Sequence, residues 1–261
     1  MPGLLSGRVA LITGGGGEIG GAIARRFASE GAAVAVADIR GERAQAVAQD
    51  IVGAGGRALP IKADVAVASD AERSVRDTVA AFGSLTTLVN VAAAVTPDGT
   101  VETLTLEQWN EALAINLTGA FLMCKYAVPE MREAGGGTIV NIASQLGQIG
   151  VPGRAPYSTS KAALIQFTKC LAGDHARDAI RANSLSPGGV NTARTVRRFG
   201  TREAANRARG PYHLLGRTGR VEEIAAGALF LACEQSSFMT GADLLLDGGY
   251  LAFKGLLSAP Q

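Results

Sequence analysis

The chain has 261 residues, 47% hydrophobic and 18% charged, enough apolar material for a sizeable core and too little charge for a disordered chain. The 25 Lys and Arg against 23 Asp and Glu leave a net charge of +2, which gives no electrostatic reason to expect nucleic acid. Glycine, at 34 residues, is about twice its usual share without any Gly-X-Y period, so collagen is excluded and tight turns are implied. The N-terminal residues carry no basic leader ahead of an apolar run, and the apolar stretch 224–233 is too short to span a bilayer. Cys124, Cys170 and Cys233 are far apart in apolar stretches, read as buried packing residues, and have neither CxxC nor metal-ligand spacing. His175 and His213 are too isolated for a metal site, and His213 is expected in a surface role. A cytoplasmic protein with no membrane, nucleic-acid or metal partner is expected.

Residues 9–13 (VALIT) read as a buried strand and 19–30 as a helix closed by Gly31. Between them lies Thr13-Gly14-Gly15-Gly16-Gly17-Glu18-Ile19-Gly20, where Gly15, Gly17 and Gly20 satisfy G-x-G-x-x-G. Glycines there permit a tight turn and let backbone approach a pyrophosphate at the positive end of a helix. A strand at 34–37 runs up to Asp38, close to the ~20-residue offset expected of an acid that binds the adenosine ribose. A carboxylate there repels a 2′-phosphate and favours NAD over NADP, with Arg40 read as a solvated helix-start residue. A helix at 42–52, a strand at 58–61, a helix at 70–82 and a strand at 88–91 follow. The periodicity then predicts one long helix over 106–134, on which Trp109 packs. A strand at 138–142, a helix at 158–176, a strand at 181–185, a helix at 221–233 and a strand at 244–246 complete the order. Short apolar strands without polar alternation belong to a parallel sheet covered on both faces. Their alternation with helices predicts a Rossmann-like, doubly wound α/β sheet in three layers. No linker or composition shift divides the chain, so a single domain is expected.

Tyr157-Ser158-Thr159-Ser160-Lys161 places a Tyr and a Lys one helical turn apart, with Ser144 before them and Asn116 earlier, in Ile115-Asn116-Leu117. Alone, Y-x-x-x-K is a common helical pair. With the glycine loop, Asp38, Asp64-Val65, Asn90-Val91-Ala92-Ala93, Pro187-Gly188 and Asp247-Gly248-Gly249, the chain resembles the short-chain dehydrogenase/reductase family from about Gly7 to about Tyr250. The resemblance departs at Glu18, where the family has glycine, and at Val91 and Ala93, where it has Asn and Gly.

The resemblance implies a catalytic set of Ser144, Tyr157, Lys161 and Asn116. Free tyrosine, with a pKa near 10, needs a neighbouring ammonium to act as a base at neutral pH. Lys161 would supply it and also bind the nicotinamide ribose. Ser144 would hold the substrate oxygen, and Asn116 a water relaying protons to solvent. The cofactor would lie against Gly14, Gly16, Gly17, Glu18, Ile19, Gly20, Asp38, Asp64, Val65, Asn90, Ala92, Tyr157, Lys161, Pro187, Gly188, Val190 and Thr192. Residues 191–215 would form a mobile lid over the substrate. The implied activity is NAD-dependent interconversion of a small secondary alcohol and its ketone. The alternatives are an NADPH-dependent 3-oxoacyl-thioester reductase and a catalytically silent dinucleotide sensor. The apolar positions Leu117, Ala120, Phe121, Cys124 and Val128, with Ala163, Phe167, Cys170 and Leu171, predict a homotetramer built on two long helices. From Thr192 to Arg220 there are eight arginines and one acid, Glu203. A solvated face is the simpler account of them; Arg194 and Arg197, nearest Pro187-Gly188, are the candidates to meet an anionic substrate.

Overall fold

The computed structural model describes residues 2–94 and 96–252. Seven strands form one parallel sheet in the order β3-β2-β1-β4-β5-β6-β7. They are β1 (Val9–Thr13), β2 (Ala33–Asp38), β3 (Arg57–Lys62), β4 (Thr87–Asn90), β5 (Gly137–Ile142), β6 (Ile180–Pro187) and β7 (Asp243–Leu246). The central strands are wholly buried, as their unbroken apolar runs require. The outer strands are not, and Pro60 sits in the edge strand β3, where a missing N–H is tolerated.

Alternate residues of each strand face opposite layers. Ala10, Ile12, Val34 and Val36 pack beneath α1 (Glu18–Ser29), α2 (Gly41–Gly53) and the helix Val221–Ala232, with Phe27 fully buried among them. Leu11, Ala35, Leu88 and Ile139 pack on the other face with residues of α3 (Ala68–Phe82) and of the helices Gly119–Glu133 and Ala155–His175. The predicted single long helix is two: α4 (Leu106–Leu113) and α5 (Gly119–Glu133), joined by a π-helical turn, Ala114–Thr118. Apolar periodicity does not register one inserted residue, and such turns concentrate at functional sites. This stretch, Leu106–Glu133, has the length and composition to cross a bilayer, but its buried side chains Met123, Ala127 and Met131 belong to the core under the sheet.

The next helix, α6 (Ala155–His175), begins ahead of the expected residue 158 because Pro156 suits the first helical turn. Where only a mobile segment was expected, the chain forms α7 (Ala193–Phe199) and α8 (Arg202–Arg209), followed by a 3-10 turn, Gly210–Tyr212. Each helix is too short and too charged to show a periodic apolar stripe. The last helix is α9 (Val221–Ala232). The strand order reverses direction between β1 and β4, and the crevice at such a switch point, beyond the strand C-termini, is where ligands bind.

Candidate active site

The glycine loop emerges from β1 at this crevice. Gly14 has φ +60°, and a Cβ there would stand 2.9 Å from Ala92 Cα, so only glycine lets the ends of β1 and β4 approach so closely. A Cβ on Gly20 would meet the Gly14 carbonyl oxygen at 2.3 Å. Thr13 Oγ1 accepts from the N–H groups of Val91 and Ala92 at 3.1 and 3.3 Å, tying the loops together. The first turn of α1 (Glu18, Ile19, Gly20) thus opens onto the crevice with N–H groups that no helical carbonyl can satisfy. Asp38 is buried at the end of β2, its Oδ2 accepting from Gly16 N–H at 3.0 Å and its Oδ1 from Arg40 N–H at 2.9 Å. Its carboxylate is therefore fixed against the glycine loop. Asp64 begins the turn after β3, with Oδ1 accepting from Ala66 N–H at 2.9 Å, and the adjacent Val65 is buried.

A buried polar chain runs inward from β4. Asn90 Nδ2 donates to Asn141 Oδ1 at 2.8 Å, and Asn141 Nδ2 donates to Thr168 of α6 at 2.9 Å. Cys124 lies beside Asn90, and burial pushes its thiol up to about 12. Among the described residues Asn90 Oδ1 has no partner, nor does Gln145 Oε1, which would stand 2.8 Å from a Cβ on Gly188. Unsatisfied buried acceptors cost free energy, and their position at the crevice, with the glycine cradle and the Asp38 carboxylate, fits the amide and hydroxyl donors of a nicotinamide dinucleotide.

The catalytic candidates converge from β5, α6 and the π-turn. Lys161 is 2% exposed, donates from Nζ to Ile142 O at 2.7 Å and lies 5.9 Å from the centre of the Tyr157 ring. Burial, with the Arg194 charge adding to it, lowers its pKa to about 8. Ser144 Oγ accepts from Leu146 N–H at 3.1 Å, which leaves its own proton available for a substrate oxygen. Asn116 is buried with both ends of its side chain engaged: Oδ1 accepts from Ala94 N–H at 2.8 Å and Nδ2 donates to Ser160 Oγ at 2.9 Å. Ser160 in turn donates to Tyr157 O at 2.8 Å. The Asn116 side chain therefore positions the Tyr157 turn of α6. A void of about 10 Å³ beside it has room for about one water molecule.

Pro187 ends β6, and Gly188 N–H donates to Leu246 O at 2.9 Å. Val190 pairs with Gly219, and Thr192 caps α7. The structure also places Glu18, and it changes the expectation for His213. Glu18 does not face a phosphate site with its side chain: the carboxylate accepts from Ala193 N–H at 2.7 Å and pairs with Arg202 at 2.8 Å. His213 is not a surface residue. It is 2% exposed, accepts at Nε2 from Gly189 N–H at 3.0 Å, and approaches Arg209 O with Nδ1 at the same distance. Sequence reasoning also missed Arg154, whose guanidinium lies 5.2 Å from the Tyr157 ring centre, and Arg209, beside Gly189. Neither is part of a motif, so only the folded contacts find them. Cys170 is exposed, in contrast to the expected burial, while Cys124 and Cys233 are buried. Trp109, on α4, is half-buried.

A family model described as Enoyl-(Acyl carrier protein) reductase matches residues 16–251. The chain is 40% identical over 250 residues to the 2,5-dichloro-2,5-cyclohexadiene-1,4-diol dehydrogenase LinX of Sphingobium indicum, covering 96% of this chain and 98% of that protein. It is 39% identical to the cis-4-hydroxycyclohexanecarboxylate dehydrogenase of Sinomonas cyclohexanicum, covering 94% and 97%. The crystal structure of a short-chain type dehydrogenase/reductase from Mycobacterium marinum superposes with a TM-score of 0.86 at 37% identity, covering 94% of this chain and 96% of that one.

Proposed function

The chain belongs to the short-chain dehydrogenase/reductase family, and we propose that within it the protein is an NAD-dependent dehydrogenase of a small alicyclic secondary alcohol, with Tyr157 moving the proton. It is an oxidoreductase acting on alcohol groups and using a nicotinamide dinucleotide. The named relatives just cited act on a ring diol in one case and on a ring acid in the other, so the ring is what they have in common, not its charge.

The observation that carries this reading is the buried Lys161 ammonium beside Tyr157. A cation in a low-dielectric site steadies negative charge that develops on a neighbouring oxygen, which supports Tyr157 as the group that exchanges a proton with the substrate. Ser144, with Oγ oriented by Leu146 N–H, donates to the substrate oxygen and steadies the charge that develops on it. Asn116, through Ser160, fixes the turn of α6 that carries Tyr157. Bound NAD supplies the hydride acceptor. Tyr157 and Lys161 would hold the nicotinamide ribose, Asp38 the adenosine ribose, and Gly14–Gly20 with the start of α1 the phosphates. Residues 191–215 would close over the substrate.

Phe121 of α5, 47% exposed, meets Phe167 of α6 edge-to-face, leaving an apolar surface that supports a homotetramer; a monomeric mass in light scattering at micromolar concentration would refute that. The free thiols suit a reducing cytoplasm. The function is tested by following NADH absorbance with a panel of cyclic alcohols, offering NAD and NADP separately. Tyr157→Phe is expected to lower turnover by ~10² or more while NADH still binds, as read by fluorescence. Near-normal turnover in that variant would refute the assignment of Tyr157.

A further inference from the structure

Tyr157 is surrounded by guanidinium groups that alcohol oxidation does not require. Arg154, at the start of α6, lies over its ring. Arg194, in the first turn of α7, is half-buried, and its charge lowers the Lys161 pKa, adding to burial. Arg209, the last residue of α8, is also half-buried, and its Nη2 stands 3.1 Å from where a Cβ on Gly189 would be. Arg198 joins them on the outer side. Among the described residues Asp98 pairs with two of the four, Arg154 at 2.5 Å and Arg198 at 3.1 Å. Among the described residues, Arg194 and Arg209 have no carboxylate partner and no side-chain hydrogen bond.

A partly desolvated guanidinium without an anion is unfavourable, and burial lowers the pKa of both Arg194 and Arg209. The fold nevertheless holds Arg209 in place by two devices. Gly189 leaves the space its guanidinium occupies, and His213 joins the Arg209 carbonyl to the Gly189 amide. Arg197 and Arg207, on the same two helices, face water instead. A lid that was only solvated by arginines would expose all of them. The glycine loop is at the end of β1, whereas Arg209 lies beside Gly189, beyond the end of β6.

We infer that the alcohol oxidised at Tyr157 carries a carboxylate on the part of the ring remote from its hydroxyl, and that Arg209 holds it, with Arg194 contributing to the field. A planar two-oxygen anion matches the guanidinium fork. The inference rests on Tyr157 as the proton-transfer group. It also replaces Arg197, the sequence candidate, with Arg209: spacing from Pro187 put Arg197 near the turn, but the helical phase of α7 points it outward.

The test compares kcat/KM for a hydroxycyclohexanecarboxylate, its methyl ester and cyclohexanol with NAD. The free acid is expected to exceed the ester by roughly 10- to 100-fold, the range of a charge-assisted pair, and added salt should narrow the gap. Arg209→Ala should collapse the acid-to-ester ratio, while Arg197→Ala, on the outer face, leaves it intact. Equal rates for acid and ester, a ratio unchanged in Arg209→Ala, or a preference for a coenzyme A thioester over the free acid would each overturn the inference. Turnover of cyclohexanol with no preference for the acid would defeat the inference and leave the alcohol dehydrogenase assignment standing. If no alcohol in the panel yields NADH, that assignment fails, and calorimetric titration with cyclohexanecarboxylate still decides the anion site. Binding by the native protein that Arg209→Ala loses supports it, and no binding by the native protein overturns it. A far-ultraviolet dichroism melt establishes that Arg209→Ala is folded before either comparison is read.

Discussion

The β4–β5–α6 strip and the lid formed by α7 and α8 face each other across one crevice, yet they are held by different forces. In the strip, Asn90, Asn141, Thr168, Asn116 and Ser160 form buried hydrogen bonds between strands and helix, and Lys161 is anchored to the sheet backbone. Removing one partner there strands another polar group away from water. The lid is held at its surface by the ion pairs Glu18–Arg202 and Asp98–Arg198, and on its inner side by buried His213 and by buried Thr218, which bonds Asn206 of α8. Exposed ion pairs contribute little and weaken with salt. On the proposed function the difference would separate two tasks: groups that move a proton held within fixed reach, and groups that select the substrate carried on a less firmly anchored element.

Lys161→Met is expected to break this comparison most sharply, because it separates activity from stability within the strip. Turnover should fall by ~10² or more, yet the variant should be the more stable protein at pH 7. The Lys161 pKa, lowered to about 8 from 10.5, means that the charged form is penalised in the fold. The penalty is full below pH 8 and fades as pH rises toward 10.5; at neutral pH it is on the order of 3 kcal/mol. Chemical denaturation at pH 7 and at pH 10 should show the stability gap between variant and native protein shrinking. A variant destabilised at both values would show that the Ile142 hydrogen bond outweighs the desolvation.

Asp38→Ser examines the other rigid end of the crevice. Freed of the carboxylate, the loop keeps Arg40 and Arg43 nearby, and the NAD-to-NADP preference in kcat/KM should fall by about 10-fold or more, on the scale of one charge-assisted contact. An unchanged ratio would remove Asp38 from the account of cofactor choice.

Glu18→Gln should act on the lid alone. The pair with Arg202 is well exposed, so the stability change should stay below about 1 kcal/mol, but limited proteolysis within residues 191–215 should quicken severalfold. Unchanged cleavage would mean that Glu18 does not hold the lid.

The smallest effect is expected at His213. Burial, assisted by the Arg209 charge and opposed by Asp247 and by the backbone carbonyls of Arg209 and Gly210, lowers its pKa, and Tyr250 packs against the ring. The neutral ring is the form that accepts from Gly189, so its clamp is fully present above pH 6.5 and weakens as pH falls below that value toward the folded pKa. Amide exchange at Gly189, corrected for intrinsic rates, should accelerate in that window. The same acceleration in His213→Ala would assign it to another group.

How much of this was legible in the sequence follows from what each feature depends on. The strands could be read because both faces of the sheet are buried, leaving unbroken apolar runs, and β1 and β5 match the expected residues closely. Gly14–Gly20, Asp38, Ser144, Tyr157 and Lys161 could be read because their spacing is local and their chemistry restricts the residue type. The π-turn at Asn116 escaped because apolar periodicity tolerates one extra residue. The lid helices escaped because α8 is charged nearly throughout and docks by ion pairs to residues remote in the chain. By itself the sequence determined the sheet, the glycine loop at the end of β1 and the one-turn spacing of Tyr157 and Lys161, all of which depend on local pattern. The tertiary structure alone decided that Glu18 turns toward the lid, that His213 is buried, and that Arg209 is half-buried against Gly189 while Arg197 is exposed. Those outcomes depend on helix phase and on contacts between residues far apart in sequence, which no local pattern encodes.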